Sequence, residues 1–543
     1  KSFGDKTLMK DVKFSVDDGE KVGVVGRNGV GKSTLFGILS GKDTDYTGEV
    51  IFRRGITIAT TAQEHHGLGE QTVMSYILDG LPEYSKLKKI IDEYPLTMGD
   101  NMRKIEEYTQ ALERFDQKGF YQVEEKIERE LSNFQLDGYG NRRISSLSGG
   151  QKRLVEIVKI MHSEAHLALI DEPTNHMDYV AKQQFIDWMN SQPHQAMLII
   201  THDRDVLGQV DRIVEIKDGQ AVSYRGNYDA YLKQNAQATT AGMNNFEQIE
   251  KRIVNLKQKV LDYQRLKEKS RNPGTIQKFK RLENEARAEL AELLKMEKPT
   301  FWIDKESASQ LDYKSAERYG KFKSRNIRLS MKDASSRSQH VLVRAENVAV
   351  GIGERILFED VNIDLREGEA IEIRGRNGAG KTTLIRMILA SGKSFDGGPV
   401  LYSGDIFLDP QVRIGVYEQE IDERYLSDPL EKAIEKLYMS RDLSISDTKI
   451  RQLLADYLFT DADRMTPLAR LSGGQKARFQ IISMLANDPQ LLILDEPTNH
   501  LDLPSIEELE TALTKYSGAI LYVSHDNYFR EKLGGKVVQI GAE

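Results

Sequence analysis

Gly26-Arg27-Asn28-Gly29-Val30-Gly31-Lys32-Ser33 recurs as Gly375-Arg376-Asn377-Gly378-Ala379-Gly380-Lys381-Thr382. Each stretch follows an apolar run read as a strand (21–25 and 370–374). Each opens a run with helical spacing (33–39 and 382–389). That context satisfies G-x-x-x-x-G-K-[ST], the loop whose successive backbone N–H groups cradle a phosphate at a helix N-terminus. The candidate phosphate-loop residues are Gly26, Asn28, Gly29, Gly31, Lys32, Ser33 and Thr34, with Gly375, Asn377, Gly378, Gly380, Lys381, Thr382 and Thr383 as their counterparts. Lys32 and Lys381 are expected at the β- and γ-phosphates, and Ser33 and Thr382 on Mg²⁺.

The recurrence extends outward from the loops. Leu147-Ser148-Gly149-Gly150-Gln151 returns as Leu471-Ser472-Gly473-Gly474-Gln475. Asp171-Glu172-Pro173-Thr174-Asn175-His176 returns as Asp495-Glu496-Pro497-Thr498-Asn499-His500. Thr201-His202-Asp203 is matched by Ser524-His525-Asp526. Gln151 to Glu172 and Gln475 to Glu496 both span 21 positions. The chain therefore reads as two copies of one domain. Strand-like and helix-like runs alternate in both, which predicts an α/β fold with a mainly parallel sheet flanked by helices. The expected boundaries are 1–222, 223–337 for a linker, and 338–543. The second copy carries Val341–Asn347 before its equivalent start and the first has no such segment, so residues are expected to precede Lys1.

Adjacent acids follow apolar strands at 167–170 and 491–494. Such a pair can divide labour. Asp171 and Asp495 would hold Mg²⁺, while Glu172 and Glu496 would orient or deprotonate an attacking water. His202 and His525 follow matching strands and are expected to sense the γ-phosphate. Gln63 and Gln419 each follow a strand-like segment beyond the lysine and are candidate Mg²⁺ and nucleotide contacts.

Together these motifs resemble the ATP-binding-cassette superfamily, whose signature is Leu-Ser-Gly-Gly-Gln. The resemblance implies two lobes facing head to tail, within one chain, with two ATPs between them. One site would join Lys32, Ser33, Gln63, Asp171, Glu172 and His202 to Ser472, Gly473, Gly474 and Gln475. The other would join Lys381, Thr382, Gln419, Asp495, Glu496 and His525 to Ser148, Gly149, Gly150 and Gln151. Both keep glutamate and histidine, so both are expected to hydrolyse ATP. The family usually stacks adenine on an upstream aromatic. Phe3 lies 29 positions before Lys32 and can serve, whereas the same offset before Lys381 gives Ile352, so adenine packing should differ between sites.

Glu-Pro-Thr-Asn-His followed by Met177-Asp178 and Leu501-Asp502 resembles the ABC-F class, as do 224–231 and Lys298–Trp302. That class has two fused cassettes, no membrane domain and a helical linker. Phe246, Ile249, Ile253, Leu256, Val260 and Tyr263 form a heptad seam. Asn272-Pro273-Gly274 interrupts it, and Ile276, Phe279, Leu282, Ala286, Leu290 and Leu293 follow. The pattern predicts an antiparallel α-helical hairpin whose shorter arm is on the order of 33 Å long.

The whole chain of 543 residues has a net charge of −7, but residues 245–298 carry +5. At the hairpin tip Arg265, Lys267, Lys269, Arg271, Lys278, Lys280 and Arg281 face only Glu268. A basic cluster of this kind binds phosphate backbones, and it equally suits a solvated spacer. The class resemblance implies ribosome binding at the tRNA exit site, with the hairpin near peptidyl-tRNA and the peptidyl-transferase centre. Some members tune elongation and others protect ribosomes from antibiotics; the short tip favours tRNA positioning. A second basic stretch, Lys321 to Arg337, suits either RNA or a connector. From Gln63 to Leu147 is 84 positions against 52 in the second copy, and the excess near 84–121 is either a ribosome-contacting arm or subdomain variation.

No run approaches the roughly 18 apolar residues of a membrane helix, and no apolar stretch follows Lys1 as in a signal peptide. There is no cysteine, which excludes disulfides and thiolate metal sites and agrees with a cytoplasmic location. An energy subunit for a separate membrane transporter is the rival reading, and a DNA-repair ATPase a more distant one.

Overall fold

The computed structural model describes all residues except 4–5, 62–69, 100, 176, 297, 312, 330–339, 354, 394–397, 419–420 and 542–543, and only the backbone of 3, 6, 313 and 314. The chain divides into two compact units, one of Lys1–Tyr228 with Ile327–Glu543, the other of Asp229–Asn326.

The first unit holds both cassettes. The first cassette is built on a six-stranded sheet in the order Ile58–Thr60, Leu167–Asp171, Ala196–Ile200, Lys21–Gly26, Arg212–Lys217, Gln220–Arg225. Its first five strands are parallel and the last is antiparallel. The second cassette repeats the plan with five parallel strands, Ile414–Tyr417, Leu491–Asp495, Ala519–Val523, Ala370–Arg374 and Lys536–Gln539. A three-stranded antiparallel sheet (Arg355–Arg366, Val341–Ile352, Pro399–Leu408) adjoins it.

Strands 167–171, 196–200, 491–495 and 519–523 are buried along their whole length. Central parallel strands lie between two layers of helices and must be apolar on both faces, hence continuous runs such as Leu491-Leu492-Ile493-Leu494. One consequence positions the site. Because the strands are parallel, the phosphate-loop strand, the Asp-Glu strand and the histidine strand all deliver their C-terminal ends to the same sheet edge. The expected excess at 84–121 is two helices, Tyr84–Thr97 and Met102–Gln117, joined through residues 98–101.

The second unit contains the hairpin. Helix Tyr228–Lys269 runs 42 residues and helix Pro273–Leu294 runs 22. Asn272 caps the second, accepting the Gly274 N–H at 2.9 Å, with Pro273 at the first helical position, where its missing N–H costs nothing. Leu256, Val260 and Ala286 form the buried seam, flanked by Tyr263, Leu290 and Leu293. Tyr263 stacks on Phe279 at 6.3 Å. The seam is shorter than the heptad spacing implies. Phe246 packs with Met243, Ile303, Tyr319 and Phe322 in a separate small core. Glu283 is buried in the hairpin, where Lys267 donates to it at 2.6 Å and Arg287 at 3.0 Å. No helix among the described residues is long and apolar enough to cross a membrane.

Candidate active sites

Each phosphate loop turns into its helix through a glycine in the left-handed region, Gly31 (φ 101°) and Gly380 (φ 97°). The helices Lys32–Leu39 and Lys381–Leu389 therefore start with no side-chain cap, and their N-terminal N–H groups point outward, the arrangement that receives an anion. Lys32 folds over its own loop, donating to the carbonyls of Gly26 (2.6 Å) and Arg27 (3.3 Å). Lys381 does the same with Gly375 (2.8 Å) and Arg376 (3.0 Å). Burial lowers the pKa of both ammonium groups, and the neighbouring carboxylates Glu172 and Glu496 oppose it.

Beside each lysine a hydroxyl meets a carboxylate. Ser33 Oγ donates to Asp171 Oδ2 at 3.1 Å, and Thr382 Oγ1 to Asp495 Oδ2 at 2.8 Å. The next residues, Glu172 (φ 47°) and Glu496 (φ 50°), adopt left-handed backbone conformations unusual for glutamate. Their N–H groups bond Ile200 O at 2.7 Å and Val523 O at 3.0 Å, so sheet pairing holds the strained turn. Burial pushes the Glu172 carboxyl up to about 8 and the Glu496 carboxyl up to about 7. His202 Nε2 lies 3.7 Å from Glu172 Oε1 and 3.0 Å from Lys32 Nζ. His525 Nε2 lies 3.3 Å from Glu496 Oε1, and the backbone N–H of His525 donates to Glu496 Oε2 at 3.2 Å. Burial, aided by the adjacent lysine, lowers both imidazoles to about 3. Both are neutral near pH 7, each with one ring nitrogen to donate and one to accept.

The signature motifs form helix starts. Ser148 caps helix Gly149–His162 and Ser472 caps helix Gly473–Leu485, each through a reciprocal box with Gln151 or Gln475. That box occupies the glutamine carbonyls. The amide nitrogen of Gln151 donates to Tyr139 Oη at 3.3 Å and that of Gln475 to Asp463 Oδ1 at 2.7 Å.

The two halves meet head to tail. A cavity of about 1040 Å³ is lined by Ser148, Gly149, Gly150 and Gln151 of the first cassette and by Asn377, Gly378, Gly380, Lys381, Thr382 and Thr383 of the second, with Glu496 and His525. At the other junction Gly474 lies so near the first phosphate loop that a Cβ there would sit 2.0 Å from Asn28 Nδ2. That approach requires glycine. Asn28 Nδ2 also donates to His500 O at 2.9 Å.

Two aspartates that the motif reading used only as class markers carry the crossing. Asp178 Oδ2 accepts the Asn377 N–H at 3.1 Å, and Asp502 Oδ2 accepts the Asn28 N–H at 3.1 Å. Each also caps its own helix, accepting Ala181 N or Ser505 N. The signal was present in sequence, as an aspartate two positions after each histidine of the repeated Glu-Pro-Thr-Asn-His. Gln63 and Gln419 lie outside the described residues, as do Lys332 and Arg337, and the Phe3 side chain is likewise not described.

The ABC transporter family model matches residues 9–175 and 358–499, more than half the chain. The chain is 28% identical to ABC transporter F family member 2 of Arabidopsis thaliana, over 99% of this chain and 75% of that protein. It is 27% identical to the ribosome protection protein VmlR of Bacillus subtilis (97% and 83%). It is also 27% identical to the energy-dependent translational throttle protein EttA of Mycobacterium tuberculosis (98% and 88%). With two phosphate loops, two signatures and two Asp-Glu strand ends in one polypeptide, the chain is an ATP hydrolase that belongs to the ABC-F class of the ATP-binding-cassette superfamily.

Proposed function

We propose that this ATPase works on the ribosome in the cytoplasm as a single chain. It would bind at the tRNA exit site with ATP, present its hairpin to peptidyl-tRNA near the peptidyl-transferase centre, and leave on hydrolysis. The observation that carries this reading is the hairpin tip. Arg265, Lys269, Arg271, Lys278, Lys280 and Arg281 are all exposed around the Asn272 cap. Of the seven basic residues at the tip, only Lys267 (to Glu283, 2.6 Å) and Arg281 (to Glu285, 3.0 Å) have carboxylate partners among the described residues. A rigid arm ending in uncompensated cations recognises a phosphate backbone by charge and shape. The relatives named for translational throttling and ribosome protection support the same partner.

The site residues fit the substrate. Lys32 with Ser472 and Gly474, and Lys381 with Ser148 and Gly150, would hold the β- and γ-phosphates from opposite sides. Touching hydroxyl–carboxylate pairs, Ser33–Asp171 and Thr382–Asp495, suit Mg²⁺, with Gln63 and Gln419 as further ligands. Mg²⁺ would supply charge neutralisation on the transferred phosphoryl group. Glu172 and Glu496 would then take a proton from the attacking water. Neutral His202 and His525, held beside them, would hydrogen-bond the γ-phosphate.

The test is co-sedimentation with ribosomes of the E172Q/E496Q protein. ATP-dependent binding at low salt is expected, and its loss when Arg265, Lys269, Arg271, Lys278 and Lys280 are changed to Glu. Failure of E172Q/E496Q to pellet with ribosomes would overturn the reading. Antibiotic protection is the second reading, favoured by the VmlR relation, and a raised inhibitory concentration on expression would select it.

A further inference from the structure

The two nucleotide sites differ where a purine base would lie. By offset, the first has Phe3 and the second has Ile352, an aliphatic residue 53% exposed. One cavity, which runs from the second phosphate loop as far as Glu172 and His202 of the first cassette, is lined by Ile352, Arg355 and Leu357 of the second cassette and by Tyr139 of the first. Tyr139 stands 12 positions before Gln151. The residue 12 positions before Gln475, on the arm that faces the first site, is Asp463. An aromatic ring is thus present on the one signature arm that meets the loop lacking its own aromatic. A carboxylate stands on the arm that meets the loop possessing one.

The Tyr139 ring is held in place. Arg142 covers one face, its guanidinium carbon 3.8 Å from the ring centroid. The hydroxyl receives Gln151 Nε2 at 3.3 Å, and the ring packs half-buried against the core of its own subdomain. A ring fixed by a cation on one face and a hydrogen bond at its edge loses little conformational freedom when a base stacks on it.

We propose that Tyr139 is the base-stacking residue of the second site, supplied in trans, with Ile352 as the apolar contact from that site's own cassette. Base recognition at that site is then complete only when the two cassettes meet. At the first site the aromatic and the phosphate loop belong to one cassette, and base recognition precedes closure. Occupancy of the second site therefore reports closure. This asymmetry does not depend on the ribosomal reading.

The test uses the full-length E172Q/E496Q protein and ATP carrying a photoreactive azide on the base, with labelled tryptic peptides quantified by mass spectrometry. At saturation, label is expected on peptide 130–142, which holds Tyr139, as well as on peptide 345–355, which holds Ile352. Y139A should raise the half-saturating concentration at peptide 345–355 about tenfold, as loss of one base–aromatic stack implies, and leave labelling of peptide 2–6 unchanged. Y139F keeps the ring and should stay within about twofold. An equal loss in Y139F and Y139A would overturn the proposal, since the hydroxyl's hold on Gln151 would then be what matters. Unchanged affinity in Y139A would also overturn it. If Y139A does not fold, the parent protein decides, and absence of label from peptide 130–142 would refute trans stacking.

Discussion

At the scale of single residues, Glu172 and Glu496 bind the sequence pattern to an energetic cost. A glutamate is ordinarily ionised near neutral pH, and burial here raises both carboxyls to about 8 and about 7. Their ionised forms are therefore disfavoured in the nucleotide-free fold. The folded pKa exceeds the unfolded one, so the folded state holds more protons, and stability falls as pH rises from about 4.5 to about 8. Glutamine has no such penalty. E172Q and E496Q should each raise the melting temperature of nucleotide-free protein, by more at pH 8 than at pH 5 in differential scanning fluorimetry; an equal gain at both would show that ionisation is not the cause. As proton acceptors the same groups must be ionised, so turnover should fall on the acid side at a pH above the ordinary carboxylate range. The crossing aspartates give a sharper site test. D178A removes both a helix cap, worth about 1 kcal/mol, and the bond to Asn377. D178N keeps one acceptor oxygen, enough for the cap at Ala181 N–H, and sets an amide NH2 where Oδ2 accepts Asn377 N–H. Steady-state ATPase should drop at least about tenfold in D178A, the equivalent of about 1.4 kcal/mol, and also in D178N, which restores the cap without the crossing bond; turnover kept in D178N would show that the cap alone matters. These acids, glycines and histidines were legible in sequence because backbone context forces each type. The partners of Asp178 were not, since Asn377 is 199 positions away and no periodicity reports such a contact.

Among the elements, the hairpin shows where pattern reading succeeds and where it stops. The Asn272-Pro273 start was legible because a cap and a ring-locked φ have one local meaning. The length of the seam was not. Phe246, Ile249 and Ile253 continue the heptad spacing, yet apolar spacing marks a face without naming what covers it. Phe246 meets Phe322, at 5.6 Å between centroids, from a segment past the hairpin. Glu283 was equally hidden, since a carboxylate at a buried position becomes tolerable only with Lys267 and Arg287 against it. The hairpin's own core is three buried residues, Leu256, Val260 and Ala286. So small a core makes the hairpin a unit of low local stability, expected to open without the cassette sheets. L256A should cost about 2 kcal/mol, the low end for a core truncation. The loss should appear as faster amide exchange across 245–294, with exchange in strands 167–171 and 491–495 unchanged. Faster exchange in those strands would show that the hairpin and the cassettes unfold together.

Across the whole cassette unit, the two halves are joined by a charge network that the repeat does not share equally. Arg204, two positions after His202, is 6% exposed and pairs with Glu510 and, at 3.2 Å, with Asp526. The matched position after His525 is Asn527, which donates to Asp205 at 2.8 Å. Lys182, 4% exposed, lies 2.5 Å from Asp205 and donates to His525 O at 2.8 Å. The buried cations come from the first cassette and Glu510 from the second, and both cations reach the segment that carries His525. A repeat comparison cannot find this, because the network consists of the differences between copies. Its energetics follow from burial. Removing one member leaves the other in a low-dielectric site, which costs about 3–5 kcal/mol, whereas replacing both with apolar side chains of similar size is near neutral. Each of R204M and E510M should therefore lower the urea midpoint markedly, and R204M/E510M should recover most of the loss. Asp526 and Lys532 (3.6 Å from Glu510) leave residual partners, so recovery will be incomplete. Asp526 follows His525, so R204M should also slow ATP turnover even where stability is restored, because the pairing that holds the segment against the second site is gone. A double variant that regains stability and turnover together would show that the network is structural alone. One that regains stability without turnover would place Arg204 among the residues that position the second site.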